Sequence, residues 1–105
     1  MLEHYILQGH FVVEEPDLLK WVEWFRDANR TVAQTKLQGG VLVSTVFLGL
    51  DHQWNLEGPP LLFETMVFGG DFNDCQARYS TWAEAEAGHQ LAVQLVEGKL
   101  LGKAE

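Results

Sequence analysis

From Tyr5 to Val13 the chain alternates. Tyr5, Leu7, Gly9, Phe11 and Val13 fall on one side, and His4, Ile6, Gln8, His10 and Val12 on the other. A period of two predicts a strand. The period changes after Glu14-Glu15-Pro16-Asp17. Leu18, Trp21, Val22, Phe25 and Ala28 recur at helical spacing, which predicts an amphipathic helix over 16–29. Proline suits a first helical turn, and acids there complement the helix dipole. Thr31 to Leu37 is rich in β-branched residues and reads as a second strand. Gln38-Gly39-Gly40 turns it into a third, over 41–49. With both glycines at the turn, Leu37 faces Leu42, Thr35 faces Ser44 and Ala33 faces Val46. Lys36 then faces Val43 and Gln34 faces Thr45. This register makes the Leu42, Val46, Leu48 face the more apolar one and assigns it to the helices. The Val43, Thr45, Phe47 face is left for a second subunit to cover.

Gly58-Pro59-Pro60 precedes a fourth strand over 61–68, which Gly69-Gly70-Asp71 ends. Residues 72–80 read as a polar connection. Thr81-Trp82-Ala83-Glu84 is a capping box, in which hydroxyl and carboxylate satisfy free amides at a helix start. Trp82, Ala85, His89, Ala92, Val93 and Val96 then line one face of a helix expected to run from 81 to about 97 and stop at Gly98. The order is β-α-β-β-β-α. It predicts a single α+β domain over 1–105, with a four-stranded, mostly antiparallel sheet and both helices packed on one face.

Composition narrows the function classes. Hydrophobic residues make up 47% of the 105 positions and aromatics 11%, enough for a real core in a short chain. Fifteen acids against seven bases give a formal charge of −8. That sign argues against gripping a nucleic-acid backbone and suits a solvated surface first, or else a basic protein partner or mimicry of nucleic acid. Cys75 is the one cysteine, so neither an internal disulfide nor a cysteine zinc cage is available. The opening stretch lacks the basic region and cleavage site of a signal peptide, and no run reaches the ~20 apolar residues of a membrane span. A cytoplasmic protein that does not enter a membrane is the expectation.

Three phrases carry a resemblance: VSTVFLGLDH (43–52), GPPLLFETMVFGG (58–70) and RYSTWAEAEAGH (78–89). They resemble a family of small uncharacterised proteins commonly encoded in bacteriophage and prophage genomes, over residues 5 to 97. The resemblance implies a bacterial host cytoplasm and supplies no catalytic residues or cofactor. Small acidic phage proteins often bind host machinery. By that analogy of context it implies stoichiometric binding to a host protein or complex, with inhibition of a defence system as one outcome.

The residues that could carry recognition or chemistry cluster around the 41–70 segment. Asp51, His52 and Trp54 stand in or beside the loop between two apolar strands, and Glu64 lies inside the second. His89 lies on the inward stripe of the last helix. Asp51, His52, Glu64 and His89 are types that bind metals or move protons, yet their spacing matches no metal signature. Three of them have a quieter reading: Asp51 as a turn former, Glu64 paired with Arg26, Arg30 or an interface group, and His89 as a hydrogen-bonded core residue. Trp24 lies off the helical stripe and reads either as an interface anchor or as core edge; Trp54 either folds over the core or meets a partner. Binding by Asp51, His52, Trp54, Glu64, Trp24 and His89, with a homodimer as assembly, is the leading expectation. The alternatives are a sponge for a nucleotide-type signal, using Arg26, Arg30 and Arg78, and a small metal-dependent enzyme. No activated nucleophile is visible, because acids beside Cys75 raise a thiol's pKa.

Overall fold

Two antiparallel sheets and two helices form the domain. The computed structural model describes residues 3–51 and 58–104, with side chains described up to residue 98. The elements are β1 (Tyr5–Gln8), β2 (Phe11–Glu14), α1 (Leu18–Asp27), β3 (Thr31–Leu37), β4 (Val41–Phe47), β5 (Phe63–Phe68), β6 (Gln76–Tyr79) and α2 (Trp82–Ala104). β1 and β2 make a hairpin of their own. The larger sheet has the order β3-β4-β5-β6. α2 lies across all four of its strands, and α1 packs against β1. The fold is α+β, as expected, with a different membership in its four-stranded sheet.

The strand expected over 5–13 is a hairpin. Gly9 takes φ +63 and turns the chain, so that Tyr5 pairs with Glu14 and Gln8 with Phe11. Glycine adopts that conformation at little cost, and the alternating pattern runs through the turn unbroken. Residues 72–80, expected as a connection, contain β6, which pairs Phe63 with Tyr79 and Thr65 with Ala77. Four residues are too few for a period of two to stand out.

The expected register of β3 on β4 is wrong by one residue. Gln38–Gly40 form a single 3-10 turn with φ +76 at Gly39 and +75 at Gly40, and Leu37 pairs with Val41 rather than Leu42. A one-residue slip exchanges every side chain between faces. The covered face is therefore Val41, Val43, Thr45 and Phe47, all buried, with Val43, Thr45 and Phe47 at 0% exposure. The chain's own α2 covers it, and no second subunit is required there. Leu42, Val46 and Leu48 on the opposite face are half-exposed.

α2 begins at the expected cap, with the hydroxyl–amide half of the capping box formed and the carboxylate held by the hydroxyl. Thr81 Oγ1 accepts from the Glu84 amide at 3.1 Å and donates to Glu84 Oε1 at 3.0 Å. Ala85, His89, Val93 and Val96 are buried along the expected stripe. The helix continues past Gly98, which lies within α2 and lacks the positive φ that commonly terminates helices. α1 is capped by Asp17, whose carboxylate accepts from the Leu19 and Lys20 amides. Its inward face is turned from the expected stripe. Trp21, Trp24 and Phe25 are half-buried, whereas Leu18 and Val22 are exposed.

The core has two apolar clusters. One gathers Tyr5, Phe47, Leu62, Phe63 and Ala85; the other gathers Val41, Val43, Val67, Val93 and Val96. Between them runs a polar belt. His89 Nδ1 lies 2.7 Å from Thr45 Oγ1, and its Nε2 lies 2.8 Å from Thr35 Oγ1. Thr45 Oγ1 lies 2.5 Å from Thr65 Oγ1. Thr45 and Thr65 are direct cross-strand partners, so two strands present hydroxyls to the imidazole and a third extends the belt through Thr45. The belt sets the axial position of α2 on the sheet, because sliding the helix by one turn would orphan buried polar groups at roughly 1–3 kcal/mol each.

Candidate functional site

The expected site residues do not assemble into one centre. Glu64 stands opposite Arg78 in the β5–β6 ladder, and Arg78 Nε donates to Glu64 Oε2 at 3.0 Å. The pair is part-buried, with the carboxylate side chain at 15% exposure. Phe63 and Thr65 turn toward α2, so Glu64 between them points to the opposite face. His89 is on the α2 side, and the sheet separates the two. Asp51 Oδ1 accepts from the Leu61 amide at 3.1 Å, tying the end of the β4 segment to the approach to β5. Among the described residues no three His, Cys, Asp or Glu side chains are grouped to hold a metal ion. His52 and Trp54 lie outside the described residues.

His89 is 1% exposed, and both ring nitrogens are occupied by threonine hydroxyls. Burial lowers its pKa below the ordinary histidine value. A neutral ring, donating from one nitrogen and accepting at the other, satisfies both bonds, and no cation or carboxylate is needed. That is the quieter of its two sequence readings. Trp24 is half-buried and meets Phe47 edge-on at 5.8 Å, so its ring belongs to the core wall.

The guanidinium groups are committed individually. Arg30 Nη1 donates to the Phe47 carbonyl at 3.0 Å, and the group lies 3.9 Å over the Phe25 ring. Arg78 is spent on Glu64, and Arg26 meets Asp27 at 3.4 Å on the surface. A site for an anionic nucleotide would have to draw these groups away from existing partners.

Among the described residues, exposed aliphatic side chains group in two places, while Phe11 and Phe68 are exposed apart from them. The first is the outer side of α1. Leu18, Leu19 and Val22 are 53%, 74% and 47% exposed, and no residue of this helix is fully buried. Positions 18 and 22, and 19 and 22, are helical neighbours, so the three form one patch. Segment 14–27 frames it with Glu14, Glu15, Asp17, Glu23 and Asp27 against Lys20 and Arg26.

The second place is a groove of about 410 Å³ between α2 and the β5–β6 edge. Thr65, Val67 and Phe72 line it with Tyr79, Leu91 and Leu95. Leu91 and Leu95 are 67% and 60% exposed at its rim. Its shape depends on Gly88: a Cβ there would lie 2.2 Å from the Tyr79 ring and hydroxyl, so only glycine lets that ring lie against the helix. The helical wall of the groove carries no formal charge. Residues 87–96 contain no Asp, Glu, Lys or Arg.

Neither surface was visible as such in the sequence. Leu18 and Val22 belong to a helical stripe that reads as core, and Leu91 and Leu95 fall beside, not on, the inward stripe of α2. Two exposed leucines four residues apart were the available signal. No family model, curated protein or solved structure matches the chain.

Proposed function

We propose that this protein works by stoichiometric binding to a host protein or complex in the bacterial cytoplasm during phage infection, and that the outer face of α1 makes the contact. The observation that carries this reading is an amphipathic helix that buries none of its residues fully and displays Leu18, Leu19 and Val22 inside an acidic frame. An apolar centre with a charged rim is the usual anatomy of a protein–protein contact. The frame fits a partner whose apolar patch is ringed by Lys and Arg, and the charge of −8 speeds the encounter with such a surface. The inhibition of a host defence system is one consequence of occupying such a partner.

The test is capture of host proteins by the tagged chain, followed by reconstitution with the purified partner. Calorimetry is expected to give a fixed whole-number stoichiometry and an affinity that weakens with salt, as screened surface charge requires. Leu19→Arg with Val22→Arg abolishes capture without lowering the melting temperature, because both side chains are exposed. Equal capture by wild type and this variant rejects the α1 surface. Absence of any partner that reconstitutes rejects the binding function.

A further inference from the structure

Beyond host binding, we propose that β6 and the groove beside it are a self-association surface, occupied by a second copy of this chain. The two β6 strands pair antiparallel about a two-fold axis through Ala77. Leu91 and Leu95 of each copy then close over the groove of the other.

Four observations converge on this occupant. The first is uncovered apolar surface: Leu91 and Leu95 stand 67% and 60% exposed at the rim of the groove beside β6.

The second is the hydrogen-bonding state of the edge. The Tyr79 carbonyl accepts from the Leu62 amide and the Cys75 carbonyl from the Val67 amide. In an antiparallel ladder alternate residues address opposite neighbours. The N–H and C=O groups of Gln76 and Arg78 therefore point off the sheet. Gln76 of one copy opposite Arg78 of the other uses all of them in four bonds. Ala77 then meets Ala77 across a close pair, where a small side chain fits. The other edge, β3, is protected by Lys36 and by a register shift between Thr31 and Ala33, both devices that discourage strand addition. β6 has no bulge, and its one charge, Arg78, is neutralised by Glu64 on the far face.

The third is charge. Copies carrying −8 each repel, so contact between them is favoured where acids are sparse. Residues 75–83 contain Arg78 alone, and 87–96 contain no charge at all. The α1 patch, framed by acids, fails this condition and selects a different partner.

The fourth is the symmetry of the apolar parts. Ala77 and Tyr79 lie on the α2 side of β6, opposite Thr65 and Phe63. A two-fold axis normal to the sheet keeps both α2 helices on one side. That places the exposed leucines of both copies over the same central strands, where each fills space the other leaves open.

Sedimentation equilibrium of the full chain tests the assembly. A dimer mass is expected in the micromolar range. Leu91→Lys with Leu95→Lys is expected to raise the dimer dissociation constant by at least ~100-fold, the loss typical of central contacts. Gln76→Pro deletes one outward N–H without touching the β5 ladder and does the same. Ala77→Cys in a Cys75→Ala chain is expected to form an intermolecular disulfide on mild oxidation, since a close antiparallel pair sets the Cα atoms ~4.5 Å apart. Circular dichroism melts confirm that each variant is folded. A monomer at high micromolar concentration overturns the proposal, as does a dimer indifferent to the leucine and Gln76 changes. Host capture fails independently, through Leu19→Arg with Val22→Arg, which leaves the dimer mass unchanged.

Discussion

Thr45→Val removes one hydroxyl at almost constant volume and strikes the centre of the polar belt. Thr45 Oγ1 serves both His89 Nδ1 at 2.7 Å and Thr65 Oγ1 at 2.5 Å. All three residues are out of reach of water, at 0%, 1% and 3% exposure for Thr45, His89 and Thr65. The substitution therefore takes a partner from two buried groups at once. At roughly 1–3 kcal/mol per orphaned group, the expected loss is about 3 kcal/mol. A domain of this kind holds only ~5–15 kcal/mol in total. Thr65→Val leaves the His89–Thr45 bond intact and costs about 1 kcal/mol. Thr35→Val costs about 1 kcal/mol or less, because Thr35 is half-exposed and water replaces its hydroxyl. The double variant Thr45→Val with Thr65→Val orphans His89 Nδ1 alone, so it is expected to be no less stable than Thr45→Val by itself. Urea unfolding followed by tryptophan fluorescence at pH 7.5 measures all four. Equal losses for Thr45→Val and Thr65→Val, or strict additivity in the double variant, refute the shared-hydroxyl account. Acidification extends the test. The folded His89 refuses a proton because burial lowers its pKa, while the unfolded imidazole accepts one near its ordinary value of ~6.5. The unfolded state thus binds more protons as pH falls, so this stability is complete above about 6.5 and is lost below it. His89→Gln reduces that acid-side loss.

Three further outcomes follow from single contacts. Gly88→Ala drives a methyl to within 2.2 Å of Tyr79 and is expected to cost about 1–3 kcal/mol in a thermal melt, partly recovered by a second change of Tyr79→Ser. Arg78→Ala leaves the half-buried Glu64 carboxylate unpaired; it lowers urea stability by about 1 kcal/mol after discounting for solvent access, and Arg78→Lys recovers only part because the bond is made by Nε. Asp17→Ala removes the α1 cap at Leu19 and Lys20 and costs about 1 kcal/mol, read as a lower unfolding midpoint.

Features that depend on near neighbours were legible in the chain. The Thr31–Leu37 strand has its expected bounds. The α2 start follows from the bonds between Thr81 and Glu84, a device confined to four residues. The buried side of α2 follows from 3.6-residue spacing, and His89 on that side was correctly placed. The α1 face was not: two apolar stripes share this helix, and the position of the β1–β2 hairpin decides which of them turns inward.

The amino-acid order by itself determined the α+β class, the helix and strand periods, the excess of acids and the lack of cysteine pairs. Each follows from composition or from spacing within one element. The tertiary structure alone decided the face of β4 that is buried, the Arg78 partner of Glu64 and the opposite-side placement of Glu64 and His89. It also decided the groove beside β6. The reason is geometric. The register of β3 on β4 rests on whether three or four residues close the Gln38–Gly40 turn, and two successive positive φ values settle that at three. One residue of slip moves every side chain across the sheet, so a local turn exchanges core for surface along the whole strand. Likewise a four-residue strand such as β6 has no period strong enough to announce itself and exists because β5 offers it a ladder.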